Sequence, residues 1–350
     1  MKSRSAKTKS LLSIEDLSIT LYTDKVTVCP VNTVNYSVES GKVLAIVGES
    51  GSGKTVMNMA PLGLLPQGVT VDIEGSVKFE GKNLLAMKEQ EKQKIRGGEI
   101  GVIFQDPLSS LNPVRRIGPQ ITEVIELHLG LSASAAQKRT VDMLNLVGIP
   151  NPKSRMKQYP HELSGGMRQR VCIAMSIAGE PKLLIADEPT TALDVTVQAQ
   201  IVSLLKDIQK RLNMSIVLIT HDIGIVSGMA DYVAVMYAGR LIEFGPVEKV
   251  LLESMHPYTW GLLDSVSTLS TPIGMPFQGI KGNPPNLTLN IEGCPFVPRC
   301  DYSIDDCNEG RPLLTNCDDR EIGHSTACPV ANNKTLRYSA VSKSQLKSSK

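Results

Sequence analysis

An apolar pentapeptide that runs straight into a glycine-rich loop limits the folds open to this chain. Val43-Leu44-Ala45-Ile46-Val47 leads into Gly48-Glu49-Ser50-Gly51-Ser52-Gly53-Lys54-Thr55, which satisfies every fixed position of the phosphate-binding loop pattern. Glycines let successive backbone N–H groups turn inward around phosphate oxygens, and the helix expected from about Gly53 adds the positive end of its dipole. Lys54 supplies a point charge for β and γ phosphates, and the Thr55 hydroxyl is a Mg²⁺ ligand type. A glycine- and serine-rich surface turn is the bland alternative, which the strand before and the helix after argue against. Pro61 falls about two turns into the expected helix and predicts a kink or an early end there.

Two further apolar runs, Leu183-Leu184-Ile185-Ala186 and Ile216-Val217-Leu218-Ile219, alternate with helical patterns at Gly166–Ala178 and Val197–Leu212. Strands alternating with helices predict an α/β fold with a parallel sheet covered on both faces. Phe79-Glu80-Gly81-Lys82 and Tyr237-Ala238-Gly239-Arg240 read as turns between antiparallel strands. Helical patterns at Ile117–Leu129 and Ala135–Val147 mark residues 106 to about 157 as an inserted helical subdomain. From about Ser265 the chain is rich in Pro, Gly and Asn and predicts a linker into a small cysteine-bearing module. The expected division is 12–265, 266–330 and a disordered polar tail over 331–350. No internal repeat is visible, so one nucleotide-binding unit is expected.

Composition narrows the function classes. Formal net charge is +2, from 37 basic and 35 acidic residues, and aromatics make up 4%. That balance gives neither the basic footprint nor the stacking platforms of a nucleic-acid binder. No run approaches the roughly 20 apolar residues of a membrane span, and Glu15 and Asp16 interrupt any secretory core after Leu11-Leu12. A cytoplasmic protein that reaches a membrane only through partners is expected. Five of seven cysteines, Cys294, Cys300, Cys307, Cys317 and Cys328, lie near the C-terminus. An odd count without an export signal favours a metal site over disulfides.

Leu183–Ala186 delivers Asp187 and Glu188 at the C-terminal end of a strand, the edge where open parallel sheets bind ligands. Asp187 suits Mg²⁺, directly or through water, and Glu188 suits a general base acting on the attacking water. Leu163-Ser164-Gly165-Gly166-Met167-Arg168 combines a hydroxyl, two bare backbone amides and a helix start, a second anion site in a chain with one phosphate loop.

With these motifs in place the sequence resembles the ABC ATPases, whose signature residues 163–168 reproduce. The resemblance extends over about Leu12–Val330 and is nearest to the dipeptide/oligopeptide permease ATPases. Phe104–Pro113, Tyr159–Gly166, His256-Pro257-Tyr258-Thr259 and Gly293–Cys300 carry it. It implies a P-loop NTPase (RecA-like) core with an antiparallel β subdomain, the helical insertion and the C-terminal cysteine module. It also implies ATP and Mg²⁺ as cofactors. Gln105 takes the place of the Q-loop residue that senses metal and γ-phosphate. Thr191-Ala192-Leu193-Asp194 takes that of the dimer-seam loop, and His221 that of the γ-phosphate histidine. The family's adenine-stacking aromatic aligns with Leu21, and Tyr22 beside it is the candidate. Cys294, Cys300, Cys307 and Cys328 match the family's iron–sulfur positions, of 4Fe–4S type, with zinc as the alternative; Cys317 has no counterpart. Because these cysteines lie far in sequence from the ATP motifs, a structural or redox-sensing role apart from hydrolysis is expected.

The implied partners are a second ATPase subunit, related but not identical, two integral membrane permease subunits and, indirectly, an extracytoplasmic substrate-binding protein. Nucleic acid is not expected as a partner. The implied location is peripheral, on the cytoplasmic side of the cell (inner) membrane, and the implied cargo is di- and oligopeptides. A nickel or glutathione importer would use the same ATPase, and a soluble ABC ATPase would share the nucleotide motifs. A non-catalytic relative would show a damaged Glu188 or His221, and both are intact.

Overall fold

The computed structural model describes all residues except 1–9, 24–25, 67, 192, 266–278, 289–290, 318–322 and 333–350. The expected linker core, Ala192 and the expected disordered tail from 333 onward lie outside the described residues. In chain order the strands are β1 Ser10–Tyr22, β2 Thr27–Glu39, β3 Val43–Val47, β4 Thr70–Phe79, β5 Lys82–Asn83 and β6 Ile100–Ile103. They continue with β7 Leu183–Asp187, β8 Ser215–Thr220, β9 Tyr232–Tyr237, β10 Arg240–Pro246, β11 Thr315–Asn316 and β12 Ser325–Thr326. The α-helices that matter below are α1 Lys54–Met59, α2 Glu89–Ile95, α3 Pro107–Ser110, α4 Ile117–Leu129 and α5 Ala133–Leu146. After them come α6 Pro152–Arg155, α7 Gly165–Ile177, α8 Val195–Leu212, α9 Ile223–Met229, α10 Val247–Leu252 and α11 Pro257–Asp264.

The chain divides into two compact units that interleave in sequence. One holds Ser37–Val43, Val77–Ile219 and the start of β1; the other holds Ile14–Tyr36, Leu44–Ser76 and the chain from Thr220 onward. The units are not consecutive in sequence: β1, β2 and β4 each contribute residues to both.

In the first unit β7 pairs in parallel with β6 on one side and β8 on the other, with Ile103 opposite Ala186 and Asp187 opposite Ile219. All five residues of β7 are buried, as continuous apolar strands covered on both faces must be. The helical insertion is built on Ile117, Ile121 and Ile125, one turn apart on the buried face of α4. Its partner α5 meets it through a buried hydroxyl pair, Thr122 to Thr140 at 2.8 Å, and both helices pack on α7.

In the second unit β3 runs parallel to β9, which turns through Ala238-Gly239 into antiparallel β10. The turn at Phe79–Lys82, in the first unit, likewise joins antiparallel β4 and β5. Helix α1 ends at Met59 and a 3₁₀ turn over Ala60–Leu62 carries Pro61, the early end that the missing N–H predicts. The C-terminal segment adds β12 to the edge of β10 and β11 to β12. Its described apolar residues join the core of β3 and β9. Cys294, Phe296, Cys307, Cys328 and Val330 share one buried cluster with Ala45 and Val47 of β3 and with Val233, Val235 and Tyr237 of β9. Glu243, fully buried on β10, anchors that arrangement. Its carboxylate accepts from the backbone N–H groups of Met255 and His256, the Thr259 hydroxyl and His324 Nε2.

Candidate nucleotide site

The phosphate loop lies in the second unit, between β3 and α1. Its glycines are dictated by close backbone approach. A Cβ on Gly48 would sit 2.1 Å from the carbonyl oxygen of Met236, and one on Gly53 would sit 1.9 Å from that of Pro30. Gly53 also has φ 104°, which L side chains rarely adopt. Lys54 is buried, and its ammonium donates to the carbonyls of Gly48 and Glu49, both at 2.8 Å. Ser50, Gly51 and Thr55 are exposed, and Ser52 is buried. The N–H of Glu49 donates to the Tyr258 hydroxyl at 2.7 Å. That hydrogen bond takes Glu49 out of the set of loop amides that can point at phosphate. The lining residue Tyr258 is buried, and burial raises its phenol well above the ordinary value.

Tyr22 ends β1 and is exposed. His221 is also exposed and follows β8, while Asp222 beside it caps α9 by accepting from the Gly224 N–H at 2.8 Å.

The first unit holds Glu188, Gln105 and Asp187, three of the residues expected to act on water and metal. Glu188 follows β7 with φ 44°, a left-handed conformation that is uncommon outside glycine. Its N–H donates to the carbonyl of Ile219 at 2.9 Å, which fixes the turn. Its carboxylate accepts from Gln105 Nε2 at 3.0 Å and from the Thr191 hydroxyl at 2.9 Å. Gln105 and Thr191, 83 and 3 residues away, therefore aim one carboxylate oxygen. Asp187 is buried at the strand end. Sequence reasoning placed Gln105 and Glu188 in the site but did not foresee their direct contact or the part of Thr191.

Ser164 caps α7, accepting from the Met167 N–H at 3.3 Å. Gly166 is hemmed in, since a Cβ there would meet Val197 Cγ1 at 2.9 Å. Gly165 is exposed, and a Cβ there would meet only Leu193 Cδ2 at an ordinary 3.9 Å. Asp194 caps α8 by accepting from the Val197 N–H at 2.9 Å. Gln169, buried on α7, donates to the Pro189 carbonyl at 2.7 Å and ties the Ser164 turn to the segment after Glu188.

Four cysteines converge. Cys294, Cys307 and Cys328 are buried and Cys300 packs against their cluster, whereas Cys317 is exposed. Burial pushes the Cys294 thiol up to about 11 and that of Cys328 up to about 12, and raises Cys300. Each of the three is raised further by neighbouring cysteines of the set. Four thiols are the donor type of a thiolate-ligated metal group. Among the described residues, however, no group of three or more His, Cys, Asp or Glu is spaced to hold a metal ion.

The extension also reaches the phosphate loop. Arg299, in the turn between Cys294 and Cys300, donates from both terminal nitrogens to the Glu49 carboxylate at 2.7 and 3.0 Å. Chain folding thus brings the turn between Cys294 and Cys300 to the phosphate loop across a separation of 250 residues.

Comparisons with known proteins agree with this geometry. The ABC transporter family profile matches residues 31–191. The profile of the oligopeptide/dipeptide transporter C-terminal region matches residues 242–307. The oligopeptide transport ATP-binding protein OppD of Bacillus subtilis (strain 168) is 51% identical over 84% of this chain and 82% of its own length. The dipeptide transport ATP-binding protein DppD of Lactococcus lactis subsp. cremoris (strain MG1363) is 46% identical over 85% and 84%. Among solved structures, cbiO1 of Clostridium perfringens, part of the ABC transporter complex cbiONQ, superposes with TM-score 0.59 at 30% identity. It covers 69% of this chain and 90% of that one. The ATP-binding cassette MJ0796 in a dimeric post-hydrolysis state bound to ADP and Pi gives TM-score 0.59 at 25% identity, covering 67% and 98%. With two phosphate-type helix starts, a carboxylate aimed by Gln105 and relatives of this identity and coverage, the chain belongs to the ATPase subunits of ABC transporters, in the oligopeptide/dipeptide branch.

Proposed function

We propose that this chain hydrolyses ATP to drive import of oligopeptides or dipeptides. The observation that carries the reading is the pairing of one phosphate loop with a second, exposed glycine turn at a capped helix start, in a chain that carries the C-terminal region of peptide transporters. Gly48–Thr55 holds the triphosphate, Lys54 neutralises its β and γ groups, and Tyr22 stacks on adenine. Thr55, Gln105 and Asp187 are hard oxygen donors of the kind Mg²⁺ takes. Gln105 spends its amide nitrogen on Glu188, which leaves its amide oxygen for the metal. Glu188, oriented by Gln105 and Thr191, takes the proton of the attacking water. His221 contacts the γ-phosphate, and Asp194 lies at the seam between ATPase subunits.

Ser164, Gly165 and Gly166 act on ATP held by a second, related ATPase subunit. Closure of such a pair drives two membrane permease subunits through the segment after Gln105, and a substrate-binding protein outside the cytoplasmic membrane delivers the peptide. Peripheral attachment accords with the absence, among the described residues, of any helix long and apolar enough to cross a membrane.

Purification of the chain from its own cell membranes tests this. Polytopic subunits should accompany it, and ATP hydrolysis by the complex should rise with peptide and its binding protein. A chain that purifies alone and hydrolyses ATP independently of any membrane component would contradict the reading.

Cys294, Cys300, Cys307 and Cys328 are the set for a 4Fe–4S cluster. Their convergence in one buried cluster with Cys317 outside it supports this. Four thiolates are what such a cluster requires, and when bound it would cross-link the C-terminal segment. Protein purified without oxygen should be brown and contain iron and acid-labile sulfide. Colourless protein with stoichiometric zinc would decide for a Cys₄ zinc site instead.

A further inference from the structure

Glu49 poses an electrostatic problem. A carboxylate in the loop that receives a triphosphate repels the ligand, and two like charges several ångströms apart at an effective dielectric near 20 cost about 2 kcal/mol. The Glu49 backbone is held in place. Its carbonyl holds the Lys54 ammonium and its N–H is bonded to Tyr258.

The C-terminal extension supplies what the loop lacks. The Arg299 side chain is 5% exposed and Glu49 is 25% exposed, so the pair is screened little by solvent. Two parallel N–H to oxygen bonds join them, the geometry that only arginine provides. The guanidinium is itself immobilised. Its Nε donates to the carbonyl of Lys281 at 2.7 Å, and its terminal nitrogens also reach the carbonyls of Ile280 and Gly282 and the Tyr237 hydroxyl. Phe296, three residues earlier, packs its ring against Tyr237 and Tyr258, the tyrosine that accepts from Glu49. One short turn therefore reaches both the side chain and, through Tyr258, the backbone of the same loop residue.

We propose that Arg299 is a positioning residue for nucleotide binding: it cancels the Glu49 charge and fixes the entrance to the phosphate loop, so that the C-terminal extension completes the ATP site. Burial would lower its guanidinium, but the hydrogen bonds to Glu49 outweigh burial and raise it, as a cation in this role requires. The proposal rests on the assignment of Gly48–Thr55 to ATP.

MgATP affinity of the full chain, measured by titration calorimetry alongside thermal unfolding, tests it. Wild-type protein that fails to bind MgATP would sink the nucleotide assignment itself. If wild type binds, Arg299→Gln should bind about ten-fold more weakly, with the loss growing at low salt. Removing both charges, in Glu49→Gln with Arg299→Gln, should restore affinity to within about three-fold of wild type. A purely packing role would leave the double variant as weak as Arg299→Gln alone, and that result overturns the proposal. So does an Arg299→Gln protein within two-fold of wild-type affinity. Should Arg299→Gln not fold, Arg299→Lys keeps a charge without the two-pronged donation. It should lose about three-fold in affinity, and unchanged affinity with lowered stability would count against the proposal.

Discussion

The two glycine-bearing helix starts look alike in sequence and differ in what makes them glycine. At the phosphate loop the reason is internal: Gly48 and Gly53 are pressed against the carbonyls of Met236 and Pro30, so any side chain would collide with the protein's own backbone. At the Ser164 turn Gly166 meets Val197, but Gly165 meets nothing that forbids a side chain, is exposed and lies outside the left-handed region. Among the described residues no packing explains why position 165 is bare. A bare position there is what the proposed closure on a partner's nucleotide would require.

Substitutions can break or sharpen that contrast. The largest effect belongs to neither glycine start but to the Glu188 carboxylate. Glu188→Gln should bind MgATP normally and lose about 10²–10⁴-fold in turnover, the usual contribution of a positioned base. Steady-state hydrolysis near the wild-type rate would remove Glu188 from that role. Next is Lys54→Ala, which should weaken MgATP binding by about 10- to 100-fold through loss of charge-assisted hydrogen bonds; unchanged affinity in a direct titration would refute the loop assignment. Smallest is the cost of filling the second turn. Gly166→Ala should destabilise the chain by about 1 kcal/mol, because the added methyl must displace Val197. Gly165→Ala should stay within about 0.5 kcal/mol of wild type. Denaturant midpoints compare the two, and equal losses would erase the difference between the glycines.

The parts of this arrangement that sequence reveals are those encoded locally. Residues 43–55 specify strand, loop and helix start within one stretch, and Pro61 announces where α1 stops. The Ser164 cap and the hairpin at Tyr237–Arg240 are likewise short-range chemistry. The units themselves were not legible, because long strands such as β1 and β4 contribute to both and composition does not change along them. The burial of Glu243 has no local signal, because its four donors come from far along the chain: His324 just before β12, Thr259 of α11, and Met255 and His256 before α11. Arg299 lies in the Gly293–Cys300 stretch that carries the family resemblance, yet nothing in that stretch names its partner. It is one basic residue among 37, and only the fold shows that it faces Glu49.

The central claim is that the Ser164 turn acts on a nucleotide that its own chain does not hold. Gly165→Val tests it most directly, since a Cβ at this exposed position meets only Leu193 Cδ2, at an ordinary 3.9 Å, among the described residues. Measured on the isolated chain, MgATP affinity should match wild type within about two-fold; in the assembled transporter, hydrolysis should fall by about 10²-fold or more. Loss of MgATP binding by the isolated, folded variant would contradict the account, and so would an assembled transporter that hydrolyses ATP at the wild-type rate.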